Sequence, residues 1–366
     1  MRTPAPLPVA IDPGPDCTPD SRQTASRIGW LDSARGLGII LVVIGHALGG
    51  LIDSPLGADQ DVFRRLFFSI YTFHMPLFFL LSGVLVTKRM KKGHVAFLRA
   101  LLPSIVWPYF LWSVLQFTVI YAAGTVVNRP AESYWPIILS LPWSTVSQFW
   151  FLYALFWMHI LSVLVIPKVG QQGFVMIALA LKAVVLVLPM PVPVKLVFNH
   201  LFFYAVGVWL MTAGLEAIIV RHRNWIKAAV LPGLAIAIIL ATLAAVPQFG
   251  ADLPILDAAS PEIANLAWRF PAMAAAICGV AAIIALASLP RIADSRILTW
   301  LGRMTMPIFV LHVMCLAGAR IVLTRSGMIT DPVPLVFITI VVGLVGPLII
   351  ERVTRALGLN RWLGFQ

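Results

Sequence analysis

An all-α polytopic transmembrane bundle of about ten helices is the fold class this sequence predicts, and three observations predict it. Apolar stretches of about 18–25 residues recur along the chain, each long enough to cross a hydrocarbon core of roughly 30 Å as a helix. Hydrophobic residues make up 60% of the 366 and charged residues only 11%, whereas a water-exposed domain carries about 25% charge. The apolar runs lack the alternation of a membrane barrel. In lipid, backbone polar groups must be satisfied within the segment itself, which leaves the helix.

Spans are expected near residues 34–52, 66–87, 99–123, 148–167, 172–190, 194–214, 226–247, 264–289, 304–324 and 332–350. Pro189, Pro191 and Pro193 interrupt the fifth stretch late and make its link to the sixth a tight turn. Residues 1–27 hold six prolines and no apolar core, so they read as a disordered cytoplasmic tail rather than a signal peptide. The transmembrane domain is placed at 28–358, followed by a short cytoplasmic tail at 359–366.

The net charge of +12 would suit nucleic acid if it formed a patch. Instead it gathers in alternate loops. With both termini cytoplasmic, 19 of the 27 Lys and Arg residues fall on the inner side and five on the outer. This is the positive-inside signature of a multi-pass membrane protein with both termini cytoplasmic, with anionic lipid rather than nucleic acid as partner; the bacterial cytoplasmic (inner) membrane is the expected location. Cys17, Cys278 and Cys315 have neither metal-ligand nor disulfide-framework spacing. No metal is expected.

Two stretches carry ionisable groups into apolar helices. The first runs from Asp32 through Arg35 to His46. Eleven residues of helix advance about 16 Å and return to nearly the same face, so one stripe offers a cation at the inner rim and an imidazole more than halfway across. Gly36, Gly38, Gly45 and Gly49 on this helix allow close approach by neighbours or substrate. The second stretch, Phe73-His74-Met75-Pro76 through Ser82-Gly83, places His74 at a depth comparable with His46. Two histidines on adjacent helices suggest one polar pocket, since ionisable groups within spans are usually functional.

These residues resemble the hallmark of the acyltransferase-3 membrane family, in which an arginine and, ten intervening residues on, a histidine open the first helix. Four further stretches are similar to it in order. They are Phe73 to Gly83, Phe149-Trp150-Phe-Leu-Tyr153, His200 to Gly207, and Leu301-Gly-Arg303-Met-Thr-Met-Pro307 with His312. The nearest flavour is the fucose 4-O-acetylase-like branch. The resemblance implies transfer of an acyl group, acetyl by default, from cytoplasmic acyl-CoA to a hydroxyl of a glycan or lipid-linked sugar. Acyl-CoA is then a substrate, and no permanently bound cofactor is implied. The family's essential arginine and histidine correspond to Arg35 and His46. Two departures stand out: only Arg99 occurs where many members carry an Arg-x-Arg pair, and no glutamate follows Trp150.

The chemistry of the residues agrees with the resemblance. Neutral imidazole suits the removal of a hydroxyl proton near pH 7, so His46 is the expected base, with Arg35 acting on the donor side and His74 orienting the acceptor or tuning its neighbour. A polyanionic donor needs a cationic cradle, and Lys88, Arg89, Lys91, Lys92, Arg99 and Arg303 supply one with Arg35, although any short cytoplasmic loop tends to be basic. Trp150, His200 and Arg269 could line an acceptor vestibule, or equally form an aromatic belt with a snorkelling arginine. His159, Lys182 and Arg320 read as structural or interfacial. A secondary transporter or flippase for a sugar or small anion is the alternative, since it too would carry polar groups near the midplane.

Overall fold

The computed structural model describes residues 29–54, 56, 61–91, 93–245 and 261–365; the tail 1–27 and Lys92 lie outside them. Fourteen α-helices occur among the described residues. They are α1 (Gly29–Ile52), α2 (Asp61–Met90), α3 (His94–Leu101), α4 (Trp107–Ala123), α5 (Trp135–Ser140), α6 (Trp150–Val187), α7 (Val192–Thr212), α8 (Leu215–Arg221), α9 (Arg223–Ala245), α10 (Pro261–Ala287), α11 (Pro290–Ala293), α12 (Arg296–Arg303), α13 (Thr305–Arg325) and α14 (Pro332–Ala356). Nine helical stretches among these residues are long and apolar enough to cross a membrane. Large apolar side chains such as Met176, Leu231, Phe337 and Ile349 face outward, as a lipid-facing surface requires.

One of the nine is a reversal. Inside α6, Gly170 has φ 71° and ψ 178°, a backbone region that essentially only glycine enters. The contacts with α7 show what the break does. In the first limb, Trp150 packs on His200 and His159 on Tyr204, parallel to α7. In the second, Phe174 meets Tyr204 and Lys182 meets Asn199, antiparallel to it. Phe174 and His159 both lie within 6.4 Å of the Tyr204 ring, whereas a straight helix would part them by about 22 Å. The two limbs, 150–169 and 171–187, therefore turn back on each other, which makes ten limbs among the described residues.

Glycines set two helix crossings. A methyl group added at Gly36 would collide with the Leu298 carbonyl, and one at Gly302 with the Asp32 carbonyl. So α12 lies backbone to backbone across the start of α1, where the Ser33 hydroxyl donates to the Ile292 carbonyl oxygen at 2.9 Å. Sequence reading did not foresee this short amphipathic helix. Gly83 and Gly207 form a second such pair, each facing the partner's backbone at Tyr204 and Leu80, and clamp α2 onto α7.

The chain's C-terminal residues fold under the bundle. Trp107 Nε1 donates to the Trp362 carbonyl at 2.7 Å, Trp112 Nε1 donates to the Leu363 carbonyl at 2.9 Å, and Phe365 stacks on Trp112. The short tail expected after residue 358 is thus docked against α4. Arg35, Ser104, Arg303 and Gly364 line one cavity, so the start of α1 and the C-terminal segment share one end of the bundle.

The reversal at Gly170 has a direct test. Reporter fusions after residues 130 and 189 should report the same side of the membrane. Opposite sides would mean that α6 crosses once and that the hairpin is wrong.

Candidate active site

Two cavities enter the bundle from opposite ends. The first, ≈ 260 Å³, has Arg35, Arg89 and Arg303 at its mouth, and Val42, Met75, Phe151 and Phe309 deeper in. The second, ≈ 680 Å³, is lined by His46, Tyr71, Asn128, Gln148, Trp150, Val313 and Arg320 among others. On α1 the step from Val42 to His46 is one turn, as are the steps from Met75 to Tyr71 on α2 and from Phe309 to Val313 on α13. On α6, Phe151 and Trp150 are neighbours. One turn is about 5–6 Å. A wall that thin separates the cavities, and its apolar side is closed by Phe151 against Phe309 at 5.5 Å and Phe78 against Phe151 at 6.1 Å.

The wall carries a cluster of histidines. His46 lies with its ring centroid 4.9 Å from His312 and 5.8 Å from Tyr71, and Tyr71 lies 4.7 Å from His74. The depth match between His46 and His74 expected from sequence is present, with Tyr71 between them. Four membrane-embedded histidines, His74, His159, His200 and His312, place Nδ1 2.7–3.0 Å from the carbonyl oxygen four residues earlier. A carbonyl only accepts, so Nδ1 bears the proton in each and Nε2 keeps its lone pair. His46 is built differently. Its Nδ1 faces the Tyr71 hydroxyl at 3.3 Å rather than its own helix. His312 Nε2 is buried with no hydrogen-bond partner among the described residues, and the His46 ring is packed beside it.

The His46 cavity has polar walls that sequence reading passed over. Arg320, on the same face of α13 as Val313 two turns earlier, donates to Asn128 Oδ1 at 2.6 Å, and Asn128 Nδ2 donates to the Gly50 carbonyl at 3.0 Å. Gln148 and Gln116 exchange amide hydrogen bonds at 2.8 and 3.0 Å. Ser147, with φ 50°, is the one non-glycine residue at positive φ among the described residues, and its hydroxyl donates to Gln148 Oε1. Such strain persists where surroundings hold it, commonly at functional sites. Tyr71 could have been found from its spacing to His74, three residues on and so on the same helix face. Asn128, in the loop after α4, and Gln148, in the 3-10 turn that leads into α6, carry no such signal and are brought in by the fold.

The sequence-derived candidates separate into groups. Arg35, Arg89 and Arg303 meet at the first cavity; Arg35 also faces Asp32 across 3.9 Å, and Arg303 Nε donates to the Thr299 carbonyl at 3.1 Å. Lys88, Lys91 and Arg99 are exposed and are not among the residues lining that cavity. Trp150 does join His46, its ring 5.2 Å from His200 and 6.0 Å from Phe79. His200 and Arg269 instead line a third cavity of ≈ 390 Å³ that opens beside α7. Among the described residues, no group of three or more His, Cys, Asp or Glu side chains could hold a metal ion.

A segment of 131 residues is 34% identical to the nodulation protein NolL of Mesorhizobium japonicum, covering 34% of this chain and 32% of that protein. The alignment therefore spans well under two thirds of that relative's length. No solved structure matches. The model of the acyltransferase domain family, acyltransferase-3, matches residues 28–352. A match over most of the chain, together with the nine long apolar helical stretches among the described residues, makes this a multi-pass membrane protein that belongs to the acyltransferase-3 family.

Proposed function

We propose that this enzyme moves an acetyl group from acetyl-CoA, entering the Arg35 cavity, to a sugar hydroxyl seated in the His46 cavity. One observation carries the reading: Arg35 and His46 lie on one helix but in different cavities, and only about one helical turn parts the cavities on three helices. A charged donor and a hydrophilic acceptor can then approach from opposite ends and react at the wall. In this reading both termini and the Arg35 cavity face the cytoplasm, in keeping with the basic inner loops.

Arg35, Arg89 and Arg303 hold the donor's phosphates by bidentate, charge-assisted hydrogen bonds. The exposed Lys88, Lys91 and Arg99, with Lys92, raise the local concentration of a polyanion without touching it. The donor's thioester arm runs up the apolar inner cavity to Val42 and Phe309. On the other side, Trp150 offers a flat face to the sugar, and Asn128, Gln148 and Arg320 offer hydrogen bonds to its hydroxyls.

The chemistry is a proton transfer coupled to acyl exchange. With Nδ1–H of His46 donating to the Tyr71 oxygen, Nε2 has its lone pair free to take the hydroxyl proton. The sugar oxygen attacks the thioester carbonyl, a C–O bond forms, and the C–S bond breaks. The thiolate of CoA leaves with the proton returned by His46. Tyr71 thereby fills the orienting role for which the sequence supplies no glutamate shortly after Trp150.

Transfer of label from [14C]acetyl-CoA to cell-surface glycan tests the reading. His46→Ala should lower the rate about 10²–10⁴-fold, with acetyl-CoA binding retained. Wild-type turnover in that variant would remove His46 from the chemistry. Tyr71→Phe keeps the ring and deletes the hydroxyl, so turnover should fall about tenfold, the worth of one hydrogen bond, with the KM for acetyl-CoA unchanged.

Arg35→Lys retains charge but loses the planar fork. The KM for acetyl-CoA should rise about tenfold or more, and dephospho-CoA donors should be less sensitive to the change if Arg35 reads the ribose phosphate. Equal KM in variant and wild type would leave Arg35 as an interfacial anchor.

A further inference from the structure

The third cavity, ≈ 390 Å³, lies between α2, the second limb of α6, α7 and α10. Its lining includes Lys182, Lys195, Arg269, Asn199 and Tyr71, and among the described residues no carboxylate lines it. Lys182 sits within a span whose outer face is apolar, with Leu179 and Val187 exposed. Its ammonium donates to the Asn199 carbonyl at 2.7 Å and to Asn199 Oδ1 at 2.8 Å, and lies 5.7 Å from the centre of the Phe203 ring. An ammonium has three donors, so one remains beyond the two that Asn199 takes. A neutral side chain would pin α6 to α7 equally well, and a charge at membrane depth is costly and marks a site by default. Tyr71 lines this cavity and the His46 cavity alike, so whatever binds here stands one side chain from the base.

We infer that this cavity holds the phosphate of a lipid-phosphate carrier, with the carried sugar passing Tyr71 into the His46 cavity. The inference rests on the proposed glycan-acetylating function and names its acceptor class as lipid-linked. Three cations suit a group of two or more negative charges. The position beside α7, at the depth of Pro76 and His200 rather than in a water-filled end, suits an anion that arrives from the bilayer. The attached chain then stays in lipid along the apolar face of the second limb of α6.

The full-length protein in phosphatidylcholine nanodiscs provides the test, with farnesyl phosphate as probe and binding read by native mass spectrometry. Farnesyl phosphate should bind at least tenfold tighter than farnesol. Lys182→Met and the exposed Lys195→Gln should each weaken it about fivefold or more, leaving farnesol binding unchanged. Equal affinity for farnesol would make the cavity a plain apolar groove and overturn the proposal. Phosphatidylglycerol binding as tightly would make it a structural phospholipid site, and inorganic phosphate binding as tightly would make it a small-anion site. Either result overturns the carrier assignment. His46→Ala should bind the probe like wild type, which separates the two readings. Lysine-dependent binding without any acetyl transfer would sink the enzymatic reading alone, whereas acetyl transfer with lysine-independent binding would sink this one alone.

Discussion

A polar group placed in a dry helical bundle must find a hydrogen-bond partner, and how the embedded histidines do so organises this protein. His74, His159, His200 and His312 each turn Nδ1 back onto the carbonyl four residues earlier. That bond holds the ring against its own helix and fixes which nitrogen is the acceptor, because an unsatisfied donor there would cost about 1–3 kcal/mol. His46 departs from this pattern. Its partner is Tyr71 on the neighbouring helix, so its ring projects away from α1 into the space between helices.

That placement depends on close helix crossings. Gly36 and Gly302 let α12 lie directly on α1, which brings Arg303 and Arg35 to one cavity mouth. Gly83 and Gly207 do the same for α2 and α7, and so hold Tyr71 and His74 in the frame against which His46 packs. A side chain at any of these four positions would push backbones apart in a core packed as densely as a crystal. The thin wall between the two large cavities follows from this geometry: four helices each contribute one turn or less, and the gaps are filled by Phe78, Phe151 and Phe309.

What was legible in the sequence, and what was not, divides along physical lines. Arg35, His46 and His74 stand out because an ionisable residue in a long apolar run is rare and costly, and helix rise alone places His46 and His74 at matching depths with Arg35 at the rim. The break between 167 and 172 was legible too, from the end of one apolar run and the start of the next, and Gly170 supplies its backbone reason. Tyr71 hid among the aromatic residues of α2, since one hydroxyl scarcely changes the look of an apolar stretch. Arg320 and Lys182 passed for anchors near span ends, and only the packing of α13 beside the loop bearing Asn128, or of the α6 hairpin beside α7, shows what they face. The division of Trp150 and His200 between two cavities is likewise tertiary: their rings pack 5.2 Å apart, yet each faces a different cavity because of neighbours distant in sequence.

The central claim is that two cavities approach His46 from opposite sides of the membrane and are closed to each other by the histidine and phenylalanine wall. Single-cysteine accessibility measures this most directly. With Cys17, Cys278 and Cys315 replaced by serine, Ser82→Cys in the inner cavity should react with a membrane-impermeant thiol reagent only from the cytoplasmic side. Ala317→Cys in the outer cavity should react only from the other side. If both cysteines react from one side, or either reacts from both, the cavities are one continuous space and the two-sided account fails.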